Sequence, residues 1–472
     1  MPEGELHFYP LARLAGLIEA RQLSPVELTR VYLDRVERLN PILRAFITMK
    51  PDALEVARRA EKEILAGRYK GPLHGIPVAV KDQFYTAGLR TTGGSRAFAD
   101  FVPAYNATVV QRLEEAGAIL LGKNNLSELA MGGTRDHPFG TPRNPWNPEH
   151  NPGESSSGSA AAVTATLCAA ALGEDTGGSV RGPASFCGIV GLRPTWGRVS
   201  RWGSFALSWS MDCAGPLTRT VEDCAIFLGA IAGHDPKDPT SSPEPVPNYR
   251  QAIKGGIAGL KIGLLKEFFE ADYLDPEVRK ANEKAAGALA GLGAHLQEVS
   301  IPAVTAAGAG FMSLADAEGA GVYFELIRER GQALDRSTRA RLMAASLLPA
   351  SIYQRSLRFR SLLRQQMLEA LEQMDILLCP TMPFPATKIV AGETGFQSFQ
   401  EAANRLFHFR GYTTPHALAG IPAISVPCGF TGTGLPIGLQ LAARPFAEPV
   451  LFRAAHAYQE STAWHLKRPP IS

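Results

Sequence analysis

Two serine-bearing segments and one lysine carry the chemistry that this chain offers. Gly153-Glu154-Ser155-Ser156-Ser157-Gly158-Ser159 and Asp175-Thr176-Gly177-Gly178-Ser179-Val180-Arg181 flank an alanine-rich run. Gly177 and Gly178 lack Cβ, so their backbone can approach another molecule closely and take φ values that other residues avoid. Consecutive N–H groups from Thr176 to Ser179 could then converge on one oxygen beside the Ser179 hydroxyl. A hydroxyl nucleophile next to an oxyanion site is the equipment of acyl transfer. The same segment also fits a glycine-rich anion loop or a plain tight turn, and alone it does not choose among them.

A serine nucleophile needs a proton acceptor. None of the ten histidines stands in a recognisable triad motif, and Gly-x-Ser-x-Gly is absent. Lys81 is the remaining candidate, at the end of the apolar run Ile76-Pro77-Val78-Ala79-Val80. An exposed lysine has a pKa of roughly 10.4 and is no base at neutral pH. Burial disfavours its charged form and lowers that value. A structural ion pair of Lys81 with Asp82 is the competing reading.

These residues must be positioned by a layered fold. Ser24-Pro25-Val26-Glu27 reads as a capping box with proline at the first helical position, opening a helix that runs toward Asn40-Pro41. A second helix is expected over 51–66. After Gly71 short apolar runs (76–80, 118–121) alternate with helix-like stretches such as 107–117, which argues for an α/β domain with a substantial sheet. Residues 159–173 read as one short buried helix, too short to span a membrane. Residues 235–247 read as a surface loop. Further strands are expected at 260–265, 296–301, 375–380, 423–427 and 436–441, with a helix beginning near Pro276 and a last one over 448–462. The stretch 303–374 is almost wholly helical, a cap over the sheet. Strand-like runs lie on both sides of it, so the expectation is one domain over 1–472: N-terminal helices at 8–66, a core at about 70–235, the cap, and a core completed by 375–465.

Composition excludes several classes. The 472 residues are 45% hydrophobic and 20% charged, with a net charge of +3, an ordinary globular balance with no footprint for nucleic acid. Arg355, Arg358, Arg360 and Arg364 recur at helical spacing and read as a solvated face. Met1–Pro10 has neither a basic nor an apolar signal region, so no signal peptide is expected. The six cysteines form no CxxC pair and read as buried free thiols of a cytoplasmic protein. There is no HExxH, no paired Cys/His cluster and no P-loop, and Gly432–Gly438 has the wrong spacing for a dinucleotide fingerprint. No metal and no cofactor are expected.

The blocks Gly75–Asp82, Pro152–Ala162, Asp175–Arg181 and Gly188–Thr195, with Ser155 and Ser179 separated by 24 positions, closely resemble the amidase signature family. The resemblance continues through Met211–Asp223, Leu418–Phe430, Gly434–Leu441 and the tail around His456–His465, and so covers the whole chain. It implies a large mixed β-sheet sandwiched between helices, with the site at the end of a buried tunnel. It implies a Ser–cis-Ser–Lys triad: Ser179 as nucleophile, Ser155 as proton relay and Lys81 as base. It places the oxyanion hole on Thr176, Gly177, Gly178 and Ser179, gives Ser156, Asp175 and Arg181 the task of holding loop and serines in register, and puts Met131, Gly132 and Arg410 near the substrate. The chain departs from the family at Glu154 and Ser157, where glycines are usual.

Three functions fit the resemblance. One is a stand-alone hydrolase of a small or aryl-substituted amide, or of a carbamate or ester, without nucleic acid, membrane or obligate partner, though a homodimer is compatible. Another is the A subunit of a glutamyl-tRNA(Gln) amidotransferase, which releases ammonia from glutamine for partner subunits. The third is a catalytically silent binding protein, disfavoured because Lys81, Ser155 and Ser179 are all present. Those A subunits generally carry an Asp where this chain has Arg410, and a cation there would repel the ammonium of glutamine. On that residue the expectation is the stand-alone amidase.

Overall fold

The computed structural model describes residues 3–133, 137–389 and 411–471. The first long helix, Pro25–Leu43, starts where the sequence says it should: Ser24 Oγ accepts from the N–H groups of Val26 and Glu27 at 3.0 and 3.2 Å. Only this half of the expected box forms among the described residues, and the Ser24 hydroxyl also donates to Glu61. That bond ties the helix to its neighbour Ala53–Leu65.

Eleven strands form one sheet among the described residues: β1 Phe46–Met49, β2 Pro77–Lys81, β3 Ile119–Asn124, β4 Ala170–Glu174, β5 Val190–Arg193, β6 Ala214–Thr218, β7 Lys261–Leu265, β8 His295–Val299, β9 Ile376–Pro380, β10 Ala423–Phe430 and β11 Pro436–Ala442. Their order is β1-β3-β2-β4-β6-β5-β10-β11-β9-β7-β8. β2 runs parallel to both β3 and β4, and β7 parallel to β8 and β9; the other pairings are antiparallel. The central strands β2, β4, β5, β6 and β9 are buried along their whole length, as strands covered on both faces must be. This is the large mixed sheet with helices of the amidase signature fold, in a single domain.

One expected element is two. Residues 159–173 do not make one helix. The helix Ser157–Thr164 stops, Thr166 takes a left-handed φ of 52°, and the chain turns into β4. Alanine tolerates both states, so an alanine-rich run hides the break; pairing with β2 and β6 makes the strand. The four short strands β1, β4, β5 and β6 carry too little alternation to be read from sequence.

The helical stretch comprises Ala307–Val322, Phe324–Arg330, Arg336–Ala345 and Ala350–Gln373. The arginine face on the last of these is only half solvated. Arg355 and Arg358 are exposed, but Arg360 donates to the Leu418 carbonyl and to Ser210, and Arg364 donates to the Ala419 carbonyl. The reason is local: Thr414–Ala419 is a short helix whose last carbonyls lack partners of their own, and guanidinium groups supply them. The loop at 235–247 forms no helix or strand, yet Asp235, Asp238 and Ser241 are buried in its hydrogen-bonded turn. All six cysteines are buried and unpaired. No helix among the described residues is long and apolar enough to cross a membrane.

Candidate active site

Parallel strands β2 and β4 end side by side, Val80 opposite Leu172, and this places Lys81 beside Glu174. The Lys81 Nζ is fully buried and lies 2.8 Å from Ser155 Oγ, 3.3 Å from the Glu174 carbonyl and 3.2 Å from Glu174 Oε2. Burial lowers the Lys81 pKa below the ordinary lysine value, against the opposing pull of the Glu174 carboxylate. Asp82 turns away: its carboxylate accepts from Thr92, and Lys123 is its cation.

Ser155 follows a cis peptide bond from Glu154. The Glu154 carboxylate does not approach Lys81; it accepts the Gly133 N–H at 2.5 Å. Ser156 binds three segments together. Its N–H donates to the Ser179 carbonyl at 3.2 Å, and its hydroxyl meets the Glu174 carbonyl and N–H at 3.1 and 3.3 Å. Ser157, the other departure from glycine, leaves its hydroxyl buried without a partner among the described residues.

Ser155 and the half-buried Ser179 line one cleft with Gly132, Glu154, Gly177, Gly178 and Thr413. The loop carrying Ser179 is folded around Asp175. That carboxylate accepts from the N–H groups of Gly178, Val180 and Arg181 and from the Arg181 and Arg193 guanidiniums. Burial would raise its pKa, but the two guanidiniums and the N–H donors hold it well below the usual carboxylate range. Arg181 reaches on to the Thr413 carbonyl and to Gln440 Oε1, at 2.9 and 2.7 Å. The Gly178 N–H is therefore committed at 2.8 Å to Asp175, whereas those of Thr176, Gly177 and Ser179 have no acceptor among the described residues. Met131 sits apart from the cleft: its side chain packs with Leu129, Leu207 and Leu342, and its carbonyl accepts from Arg341. Arg410 lies outside the described residues.

Sequence reasoning missed Glu174, Asp212 and Thr413. Thr413 Oγ1 donates to the Gly177 carbonyl at 2.6 Å, and Thr176 Oγ1 lies 2.7 Å from both Glu174 Oε1 and Asp212 Oδ1. One signal was available. Two apolar runs, 77–80 and 170–173, each end in a charged residue of opposite sign.

Comparison with known proteins agrees with this geometry and corrects the functional preference. Residues 27–452 match the amidase family. The chain is 43% identical to the A subunit of the glutamyl-tRNA(Gln) amidotransferase of Geobacter metallireducens, over 99% of this chain and all of that protein. It is 44% identical to the corresponding A subunit of Thermosynechococcus vestitus, over 96% of this chain and 97% of the relative. Among solved structures it resembles the same amidotransferase's A subunit from Thermotoga maritima (TM-score 0.81, 34% identity, 95% of each chain) and the native peptide amidase from Stenotrophomonas maltophilia (TM-score 0.85, 33% identity, 99% of each chain).

The expectation of a stand-alone amidase on a small amide or carbamate, with no nucleic acid and no obligate partner, is overturned by these full-length matches to amidotransferase A subunits. Arg410 is compatible with glutamine as substrate. Free glutamine is a zwitterion, and a guanidinium that repels its ammonium attracts the adjacent carboxylate, which it can bind in bidentate fashion. One charge therefore does not exclude it. A family match over most of the length and a lysine–serine–serine cleft at the ends of β2 and β4 agree: the chain belongs to the amidase family, hydrolases of C–N bonds.

Proposed function

We propose that this chain is the amide-cleaving A subunit of a glutamyl-tRNA(Gln) amidotransferase, working in the cytoplasm with partner subunits. The observation that carries this reading is the 43% identity to one such protein over the full length of both chains. The cleft supports the chemistry. Ser179 attacks the side-chain amide of glutamine while its proton passes to Ser155 and the Ser155 proton to neutral Lys81. The N–H groups of Thr176, Gly177 and Ser179, which lack other acceptors among the described residues, hold the oxyanion. Ser155 then protonates the departing nitrogen, ammonia leaves for the partner subunits, and water releases glutamate by the same route. Arg410 stands three positions before Thr413, a cleft residue, and takes the α-carboxylate of glutamine.

The test is to assemble the chain with the remaining amidotransferase subunits and measure ammonia release from glutamine and amide transfer onto glutamyl-tRNA. Both are expected, both are lost in Ser179→Ala, and Arg410→Ala raises the KM for glutamine about tenfold. An assembled complex that is labelled by a fluorophosphonate at Ser179 but leaves glutamine intact would overturn the proposal.

A further inference from the structure

Lys81 is not the only titratable group at the floor of the cleft. Its nitrogen lies 3.2 Å from Glu174 Oε2, and the other oxygen of that carboxylate is 2.7 Å from the Thr176 hydroxyl. The same hydroxyl is 2.7 Å from Asp212 Oδ1. Glu174, Thr176 and Asp212 are all buried.

A threonine hydroxyl carries one hydrogen. It donates to one of the two carboxyl oxygens. The other contact, equally short, is a hydrogen bond only if that carboxyl carries a proton and donates it into the Thr176 oxygen. Two carboxyls joined by one hydroxyl and shut away from water thus share one proton and one negative charge. Asp212 is suited to hold that proton: burial, and then the Glu174 charge, push its pKa above the usual carboxylate range, while the N–H groups of Leu207 and Ser208 fix its position at 2.9 and 3.0 Å. The charged and titratable groups that act on the pair are Lys81, Arg193, Arg201, Cys213 and Tyr323, while Asp175 acts on Lys81 itself. Among the described residues only Lys81 is a cation at ion-pair distance from it.

We infer that Glu174, Thr176 and Asp212 form a charge shuttle that sets the protonation of Lys81. The inference rests on the role of Lys81 as base proposed above. In one state Asp212 Oδ1 holds the proton and donates to Thr176, which donates to Glu174; the negative charge lies beside Lys81 and favours its ammonium form. In the other state Glu174 Oε1 holds the proton and donates to Thr176, which donates to Asp212; the charge moves to the far end and Lys81 favours the neutral amine. Passing from the first state to the second moves the Asp212 proton to Thr176 and the Thr176 proton to Glu174. No proton enters or leaves. When Lys81 takes the proton of Ser155, its new charge draws the negative charge back to Glu174. Glu174 and Asp212 are positioning residues that act through Lys81.

The experiment follows the rate of fluorophosphonate labelling at Ser179 against pH, using the purified full chain, Glu174→Gln and Asp212→Asn. In Glu174→Gln no anion can stand beside Lys81, and the midpoint of the acid limb is expected to fall by about one pH unit, a tenfold change in proton concentration. In Asp212→Asn the charge is fixed on Glu174, and the midpoint is expected to rise by a similar amount. Opposite shifts are a signature that a merely structural role does not produce. An unmoved midpoint in Glu174→Gln, or shifts in the same direction, overturns the shuttle. If Asp212→Asn does not fold, the fall in Glu174→Gln must be joined by the infrared signature of a protonated carboxyl in the unmodified chain at neutral pH, and its absence overturns the shuttle. If neither folds, infrared difference spectroscopy of the unmodified chain must show a protonated carboxyl at neutral pH, and its absence overturns the shuttle. Labelling does not involve glutamine, so a labelled chain that spares glutamine refutes only the amidotransferase reading. A chain that is never labelled at Ser179 refutes both.

Discussion

Gly177 and Gly178 have no room for a side chain. A Cβ at Gly177 would fall 2.3 Å from the Phe311 ring, and one at Gly178 would fall 2.2 Å from Thr413 Oγ1 at a φ of +132°. The first obstacle is a side chain of the helical cap, which can move; the second adds a backbone conformation that other residues resist. Gly177→Ala is therefore expected to slow labelling of Ser179 at least about tenfold, and Phe311→Ala in the same chain to restore part of the rate. Gly178→Ala together with Thr413→Ala should recover nothing, because the strained φ remains. Stopped-time labelling of the four variants measures this, and rescue of both glycines alike would refute the distinction. At this scale the sequence was legible for Lys81, Ser155 and Ser179, because glycine pairs and a lysine ending an apolar run are local patterns. Glu174 was not legible, since 159–173 read as one helix and the strand that ends at Glu174 was hidden in it. Only the pairing of β2 with β4 turns it toward Lys81.

The elements around the cleft are joined by a buried charge cluster. Asp175 follows β4, Arg193 ends β5, and Arg181 opens the helix Arg181–Cys187 and reaches toward β11 through Gln440. All three charged groups are fully buried. Asp175→Asn would leave two guanidiniums short of their carboxylate, a loss of about 3–5 kcal/mol. Urea denaturation should show it, and a loss under about 1 kcal/mol would refute the cluster's role. The sign with pH follows from the depressed pKa of Asp175. Its stabilisation is complete above the ordinary carboxylate value of about 3.9 and drains away as pH falls through the lower folded value. The wild-type chain should thus lose this contribution only in acid, and Asp175→Asn should show a flatter stability curve below about pH 4. Strands such as β9 and β11 were legible as apolar runs between turn residues. The break at Thr166 was not, because nothing in an alanine run marks where a helix yields to a strand except the neighbours it will pair with.

Across the whole molecule the sheet has a seam. β1 to β6 come from the first half of the chain and β7 to β11 from the second, and the two sets meet where β5 pairs with β10 through Ala423 opposite Arg193, Ile424 opposite Leu192 and Ser425 opposite Gly191. The helical cap and Thr413 belong to the second half, whereas Lys81, Ser155, Ser179, Glu174 and Asp212 belong to the first. That one domain is formed was legible in the strand-like runs on both sides of the helical stretch; which strands touch across the seam was not, since pairing between distant strands leaves no local trace.

The seam makes the protein divisible. Lys254, Gly255 and Gly256 are exposed and lie between β6 and β7, so a cut between the two glycines breaks no strand. The N-terminal piece would hold every proton-transfer group but lack Thr413, which buttresses the Gly177 carbonyl, and Phe311, which packs on it. The C-terminal piece would hold no nucleophile. Each piece alone should be inert toward a fluorophosphonate, and the two expressed together should reassemble and be labelled at Ser179. Labelling of the N-terminal piece by itself would show that the loop needs no buttress. Reassembly would make this fold a binary reporter, its activity a readout of whether two fused partners have met.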